Sequence, residues 1–482
     1  MTEESRDPKN EGVRSVSRRD FLKLAGIAGG TIAAAGGLGG LVAACGTKST
    51  TTTGATTATT AGTGGTTATT AAGGAPTTAV TTGGAGLPGG KTEILIEAAR
   101  PVTGVNAIFE QAHFGPAAHL WVNEINAAGG LKIAGKQYPI KYNVFDDQSV
   151  LDNSMRLLTK IMEEDKADFV FLPCSTAFLF AASKLVSDHK YLAMSAEGGA
   201  KTLEPKMKDM PTFFQFLNYS NHYQIPVFAD ILKEVGATSV SIIYLDDLHG
   251  IEYNDEAKEA LPAAGIKVLS STPVPAGVKD VSSIIKKVQG ENPDAVCSFQ
   301  YPPENALTYG TMAQLAYNPK CVLGGPATST QSFFDSFKGA LDGIMFEGAW
   351  SYKANATQNA YWVKLSDFVK GKENVDFWGG LIYRAELEFF QAAVEKANTI
   401  DQAAIAEVMR TLHTKTTMAD DTFMTNQILD KASYAGQIGQ WQAGVPQVLD
   451  KDKRTTDKIW YPKPTWADAP KGLPAASTTP SS

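Results

Sequence analysis

The chain has 482 residues, with 43 Lys and Arg against 50 Asp and Glu, for a formal net charge of −7. That balance argues against the basic footprint of a nucleic-acid binder, and four cysteines and six histidines without a CxxC or Cys/His metal spacing argue against a metal centre; no cofactor is expected. A hydrophobic share of 43% and an aromatic share of 9% belong to a globular protein, and the length allows two domains.

The N-terminus reads as an address. Ser17-Arg18-Arg19-Asp20-Phe21-Leu22-Lys23 precedes an uncharged Gly/Ala/Leu run over 24–44, and Val42-Ala43-Ala44 leads directly into Cys45. A paired arginine, a weakly apolar run and small residues before a cysteine resemble a twin-arginine signal peptide ending in a lipobox. On that reading 1–44 is removed and Cys45 carries lipid. The alternatives are an uncleaved membrane span, which the Gly/Ala content disfavours, and an ordinary cysteine beside a plain cleavage site. Residues 46–90 are almost only Thr, Ala and Gly. They cannot bury enough apolar area to offset their ordering entropy, so 45–90 is expected to be a lipid-anchored linker reaching roughly 35–40 Å. Residues 466–482 are expected to form a disordered tail.

Between these ends the chain alternates. Strands are predicted at 92–98, 140–145, 168–172 and 191–195, with helices at 114–128, 153–164 and 177–187. After Asn221 the rhythm resumes with helices at 223–235, 252–264, 281–289 and 304–316 and strands at 239–245, 267–272, 295–299 and 321–324. Phe169-Val170-Phe171-Leu172 and Val240-Ser241-Ile242-Ile243-Tyr244 are apolar enough to be buried on both faces, the mark of parallel strands covered by helices. The expected fold is α/β, with two similar Rossmann-like lobes built on parallel central sheets. Lobe 1 is assigned to 91–217 and 350–420, lobe 2 to 218–349 and 421–465. Open α/β sheets bind ligands beyond the carboxyl ends of their strands, so two facing lobes would share a cleft. The remaining cysteines, Cys174, Cys297 and Cys321, sit in the body; Cys297 and Cys321 are read as buried thiols, with pairing as the alternative.

Three stretches carry a family resemblance: Pro101-Val102-Thr103-Gly104, then Val122-Asn123-Glu124-Ile125-Asn126-Ala127-Ala128-Gly129-Gly130, then Phe145-Asp146-Asp147-Gln148. With Tyr301-Pro302-Pro303-Glu304 and Gly436-Gln437-Ile438-Gly439-Gln440-Trp441, they resemble the leucine/isoleucine/valine-binding proteins across residues 92–465. These are type I periplasmic solute-binding proteins of ABC transporters, a group that also includes amide, urea and aromatic-acid binders. The resemblance implies a monomer that closes over a small solute and hands it to membrane permease subunits. It implies three crossings between the lobes, near 216–220, 346–352 and 417–430.

It also implies where the solute sits. Ser175 and Thr176 follow a strand and open a helix, where hydroxyls and backbone N–H groups make an anion site; capping alone is the alternative. Glu197, Gly198 and Gly199 form the next loop, with Glu197 either accepting from a ligand amine or amide or standing as a solvated charge. His249 replaces a family aromatic or is a solvent-facing turn residue. Tyr301 matches a ligand-contacting tyrosine or packs near the hinge, and Trp378 closes the pocket or belongs to the core. Phe114 is a further aromatic candidate.

Two departures matter. Where amino-acid binders place a second-lobe carboxylate for the ligand ammonium, this chain has Gly325-Pro326-Ala327-Thr328, and another acidic position reads Ser220-Asn221-His222. A buried ammonium without a partner is costly, so either Glu197 or Asp247 replaces the acid or the ligand lacks an amine. An enzyme is the rival class, but GxSxG, P-loop, HExxH and strand-borne GxGxxG motifs are all missing. A ligand-presenting sensor in the same fold is the second rival.

Overall fold

The computed structural model describes Leu87 and residues 90–217, 223–337, 339–371 and 375–466. Arg18, Arg19, Cys45 and almost all of the linker and the tail lie outside the described residues. Among the described residues no helix is long and apolar enough to cross a membrane.

The strand Ile94–Arg100 is the centre of the first lobe, because its apolar side chains are buried on both faces. It pairs in parallel with Ile140–Asp146 on one side and Phe169–Phe171 on the other. Beside them runs a five-stranded sheet in the order His413–Thr414, Thr422–Thr425, Ile428–Leu429, Phe213–Gln215, Ala193–Ser195. Helices Gly115–Ala127 and Gly379–Ala397 pack together on this lobe. Trp121 is buried between them and the sheet, its ring against Phe171 and Phe390.

The second lobe holds a seven-stranded sheet, ordered Val445–Val448, Ile438–Gln442, Met345–Glu347, Val322–Gly324, Ala295–Phe299, Ser239–Leu245, Lys267–Val274. The pairs from Lys267–Val274 to Met345–Glu347 are parallel and the last two strands are antiparallel. Two strands, Ser239–Leu245 and Ala295–Phe299, fall where the sequence predicts them. The expected helix at 252 starts earlier, at Leu248, because the Asp247 side chain accepts from Gly250 N at 2.9 Å and caps it there. Cys297 and Cys321 are buried free thiols.

One boundary moves. Residues 421–465 were expected in lobe 2, yet Thr422–Thr425 and Ile428–Leu429 form a hairpin whose Ile428 pairs with Gln215 of the first lobe. Gln427 Nε2 also donates to Met210 O at 3.1 Å. The turn uses Asn426 and Gln427, both at positive φ, in place of the usual Asn-Gly, so the hairpin signal is weak. The third crossing therefore lies between Leu429 and Ile438, not within 417–430. It runs beside the others: Gly348 N donates to Gln437 O at 2.6 Å, and Tyr434 Oη donates to Phe216 O at 3.2 Å.

Candidate functional site

The first wall is the loop between Phe169–Phe171 and the helix Thr176–Asp188. Ser175 has φ +85° and ψ 151°, a backbone setting that L side chains rarely adopt, and it is buried. Its N–H donates to Glu197 O at 3.0 Å, which pins the loop to its neighbour. Ser175 makes no side-chain capping bond to the helix, so capping alone does not account for it. Strain of this kind persists where surrounding structure over-determines it, most often at a site of function. The helix N-terminus brings backbone N–H groups and a partial positive charge to the same place.

Behind this loop is an ionic cluster. Arg100, at the end of the first strand, is fully buried. Its Nε donates to Glu110 Oε2 at 2.9 Å and its Nη1 to Glu197 Oε1 at 2.5 Å and Leu172 O at 2.8 Å. The other oxygen of Glu197 accepts from Ala196 N at 3.0 Å. Burial raises the Glu110 carboxyl, but Arg100 and His119 outweigh it and hold the group below the usual carboxylate range. For Glu197 burial wins over Arg100 and the group is pushed up. Glu386 beside it is pushed up further, by burial and then by the charge of Glu197. One guanidinium thus serves a carboxylate-rich interior, and Glu197 is already paired.

The opposite wall is aromatic. His249 lies on the first turn of the helix Leu248–Ala263 and its ring stacks on Tyr301 at 4.9 Å and 18°. Burial pushes its imidazole down to about 3, so it is neutral at pH 7. Tyr301 meets Phe109 of the first lobe edge to face at 5.7 Å, a ring contact across the cleft. Phe109 begins a π-helical turn, Phe109–His113, that leads into the helix Gly115–Ala127. His113 closes that turn, with its ring 5.3 Å from Trp378 and 4.3 Å from Phe114. Gly348 at the second crossing makes room for Trp378, since a Cβ there would fall 1.9 Å from its Cδ1. These walls face one another across a narrow cavity lined by Phe109, His113, Phe114, Ser175, Thr176 and Glu197 with Leu217, His249, Tyr301, Pro326 and Trp378.

Residues 96–444 match the family described as periplasmic binding protein. The chain is a type I periplasmic binding protein. A relative of this periplasmic binding protein, the Leu/Ile/Val-binding protein BraC3 of Rhizobium johnstonii, is 23% identical over 360 residues, 74% of this chain and 94% of the relative. A solute-binding protein of Rhodopseudomonas palustris in complex with benzoate superposes with a TM-score of 0.63 at 15% identity, covering 77% of this chain and 98% of its own. Another, of strain BisB5 of that species in complex with 3,4-dihydroxybenzoic acid, gives 0.62 at 16% identity over 73% and 93%. LivJ of Streptococcus pneumoniae in complex with isoleucine gives 0.61 at 17% identity over 77% and 100%.

Six candidates of this periplasmic binding protein named from its sequence, Ser175, Thr176, Glu197, His249, Tyr301 and Trp378, line this same cavity, as does Phe114. Gly198 and Gly199 stand behind it: a Cβ on Gly198 would lie 3.0 Å from Ser175 C, and one on Gly199 would lie 2.3 Å from Leu217 O. Both serve close backbone packing within the protein. Glu197 is buried rather than a solvated loop charge, and His249 is 1% exposed rather than solvent-facing. Asp247 does not line the cavity; it caps a helix, so it is no substitute for the missing carboxylate. Phe109, His113 and Leu217 escaped the sequence reading. The aromatic spacing of Phe109, His113 and Phe114 ahead of the helix was the available signal for the first two.

Proposed function

We propose that this protein is the extracytoplasmic binding lipoprotein of an ABC transporter, exported by the twin-arginine route, anchored through Cys45 and docking on permease subunits. Its solute is a small carboxylic acid with a flat or apolar body and no ammonium group. One observation carries this reading: Glu197, the only carboxylate in the cavity lining among the described residues, is already bound by Arg100 at 2.5 Å. The rest of the lining offers the Ser175–Thr176 helix start to a carboxylate and rings to a body. Closure follows from bridging, because a ligand that touches both walls favours the state in which they meet.

A second reading keeps an amino acid as solute. It rests on Glu197 lying in the lining at all, with one guanidinium shared between Glu110 and Glu197. A thermal-shift panel separates the two. The full chain is unfolded and refolded to strip carried-over solute, then tested with benzoate, isoleucine, its deamino acid and benzamide. Binding to the native state raises the melting temperature by mass action. The proposal expects shifts with benzoate or the deamino acid and none with isoleucine; a shift with isoleucine alone would establish the second reading.

A further inference from the structure

His113 is the cavity residue that pairing within the protein explains least. It is 1% exposed. Its ring is wedged by Phe109 at 5.5 Å, Phe114 at 4.3 Å and Trp378 at 5.3 Å, so its plane is fixed. Nδ1 stands 3.0 Å from Asp376 Oδ2, at an angle short of a well-formed hydrogen bond. Asp376 is itself buried and held as an acceptor: Ser329 Oγ donates to it at 2.5 Å, and Trp378 N and Gly380 N at 3.0 Å each. Asp376 Oδ2 is an acceptor, so Nδ1 is the ring nitrogen that faces it and Nε2 is the nitrogen left for a different partner. Nε2 is buried and has no hydrogen-bond partner among the described residues. A buried polar atom left unpaired is a cost that folding alone does not justify.

We infer that His113 is a specificity-determining residue of the cavity, accepting through Nε2 a hydrogen bond from a hydroxyl on the solute, with Asp376 as the residue that positions its ring. The inference rests on the carboxylic-acid reading above and refines it: the solute is a hydroxylated acid, with its carboxylate at Ser175–Thr176 and a donor group toward His113. Ser329 comes from the second lobe, so the positioning of His113 is tied to the meeting of the two walls.

The test is calorimetric titration of the refolded full chain with benzoate and with 3,4-dihydroxybenzoate, compared as a ratio of affinities. Wild type should prefer the hydroxylated acid by about tenfold, the scale of one hydrogen bond to a group that is otherwise left unpaired. His113→Phe keeps a ring and removes the nitrogens, and should bring the ratio close to one. Asp376→Asn retains His113 but removes the charge beside its Nδ1, and should narrow the ratio as well. A merely structural role would weaken both acids together and leave the ratio unchanged. If His113→Phe does not fold, Asp376→Asn and the wild-type ratio still decide. Benzoate bound without preference in wild type, or a preference that survives in the variants, overturns the role of His113 alone. Failure of wild type to bind either acid overturns this inference, and failure of the deamino acid as well overturns the carboxylic-acid reading.

Discussion

His249 shows how one buried ring shapes both recognition and stability. It presents a neutral imidazole stacked on Tyr301, and burial holds its titration at about 3 against an ordinary value of 6.5. The sign follows from linkage. Below pH 6.5 the unfolded chain binds a proton that the folded chain refuses, so this group's contribution is present above that pH and is lost as pH falls toward 3. Between pH 7 and 5.5 it should remove about 1 kcal/mol of stability. Urea unfolding at those two pH values, on wild type and His249→Phe, should show a smaller acid loss in the variant by about that amount; equal losses would mean that the ring is not held neutral. Arg100 makes the opposite point. Its two acidic partners could not be read as a pair from sequence, because Glu110 and Glu197 are brought to it only by the fold.

At the scale of elements, the site depends on how tightly its loops are stacked. The loop holding Gly199 lies against the first crossing, where a Cβ would meet Leu217 O at 2.3 Å. Gly199→Ala should therefore cost about 1–3 kcal/mol of stability through overpacking; a melting temperature equal to wild type would show that the crossing yields freely. The elements that were legible are those with strong local signals. Val240 to Tyr244 is an apolar run, and Gly129-Gly130 stops a helix, both at positive φ. The loop carrying Ser175 and Thr176 was legible for the same reason, since a strand followed by hydroxyls and a helix is a local pattern. What stayed hidden depends on long-range pairing. The strands at 422–429 are two and four residues long and take their meaning from Phe213–Gln215, some two hundred positions earlier. His113 was missed because its significance comes from Asp376, which is far from it in sequence, and from a π-helical turn without a sequence rule of its own.

At the scale of the whole molecule, the walls of two lobes meet around a small ring-lined cavity. The proposed anchor is separable from this body. Cys45→Ser should release the exported protein from the membrane fraction while leaving its solute binding intact, and fractionation followed by blotting reads this directly; a variant that remains membrane-bound would contradict lipidation at Cys45. The central claim is that a carboxylate is gripped where Ser175 and Thr176 start their helix. The measurement that tests it most directly is calorimetric titration of wild type and the Ser175→Ala/Thr176→Ala double variant with the best acid from the panel and with the primary amide of that acid. Wild type should prefer the acid, and the double variant should lose about 1–3 kcal/mol for the acid and much less for the amide. Equal losses for both, or no loss in a folded variant, would contradict the account.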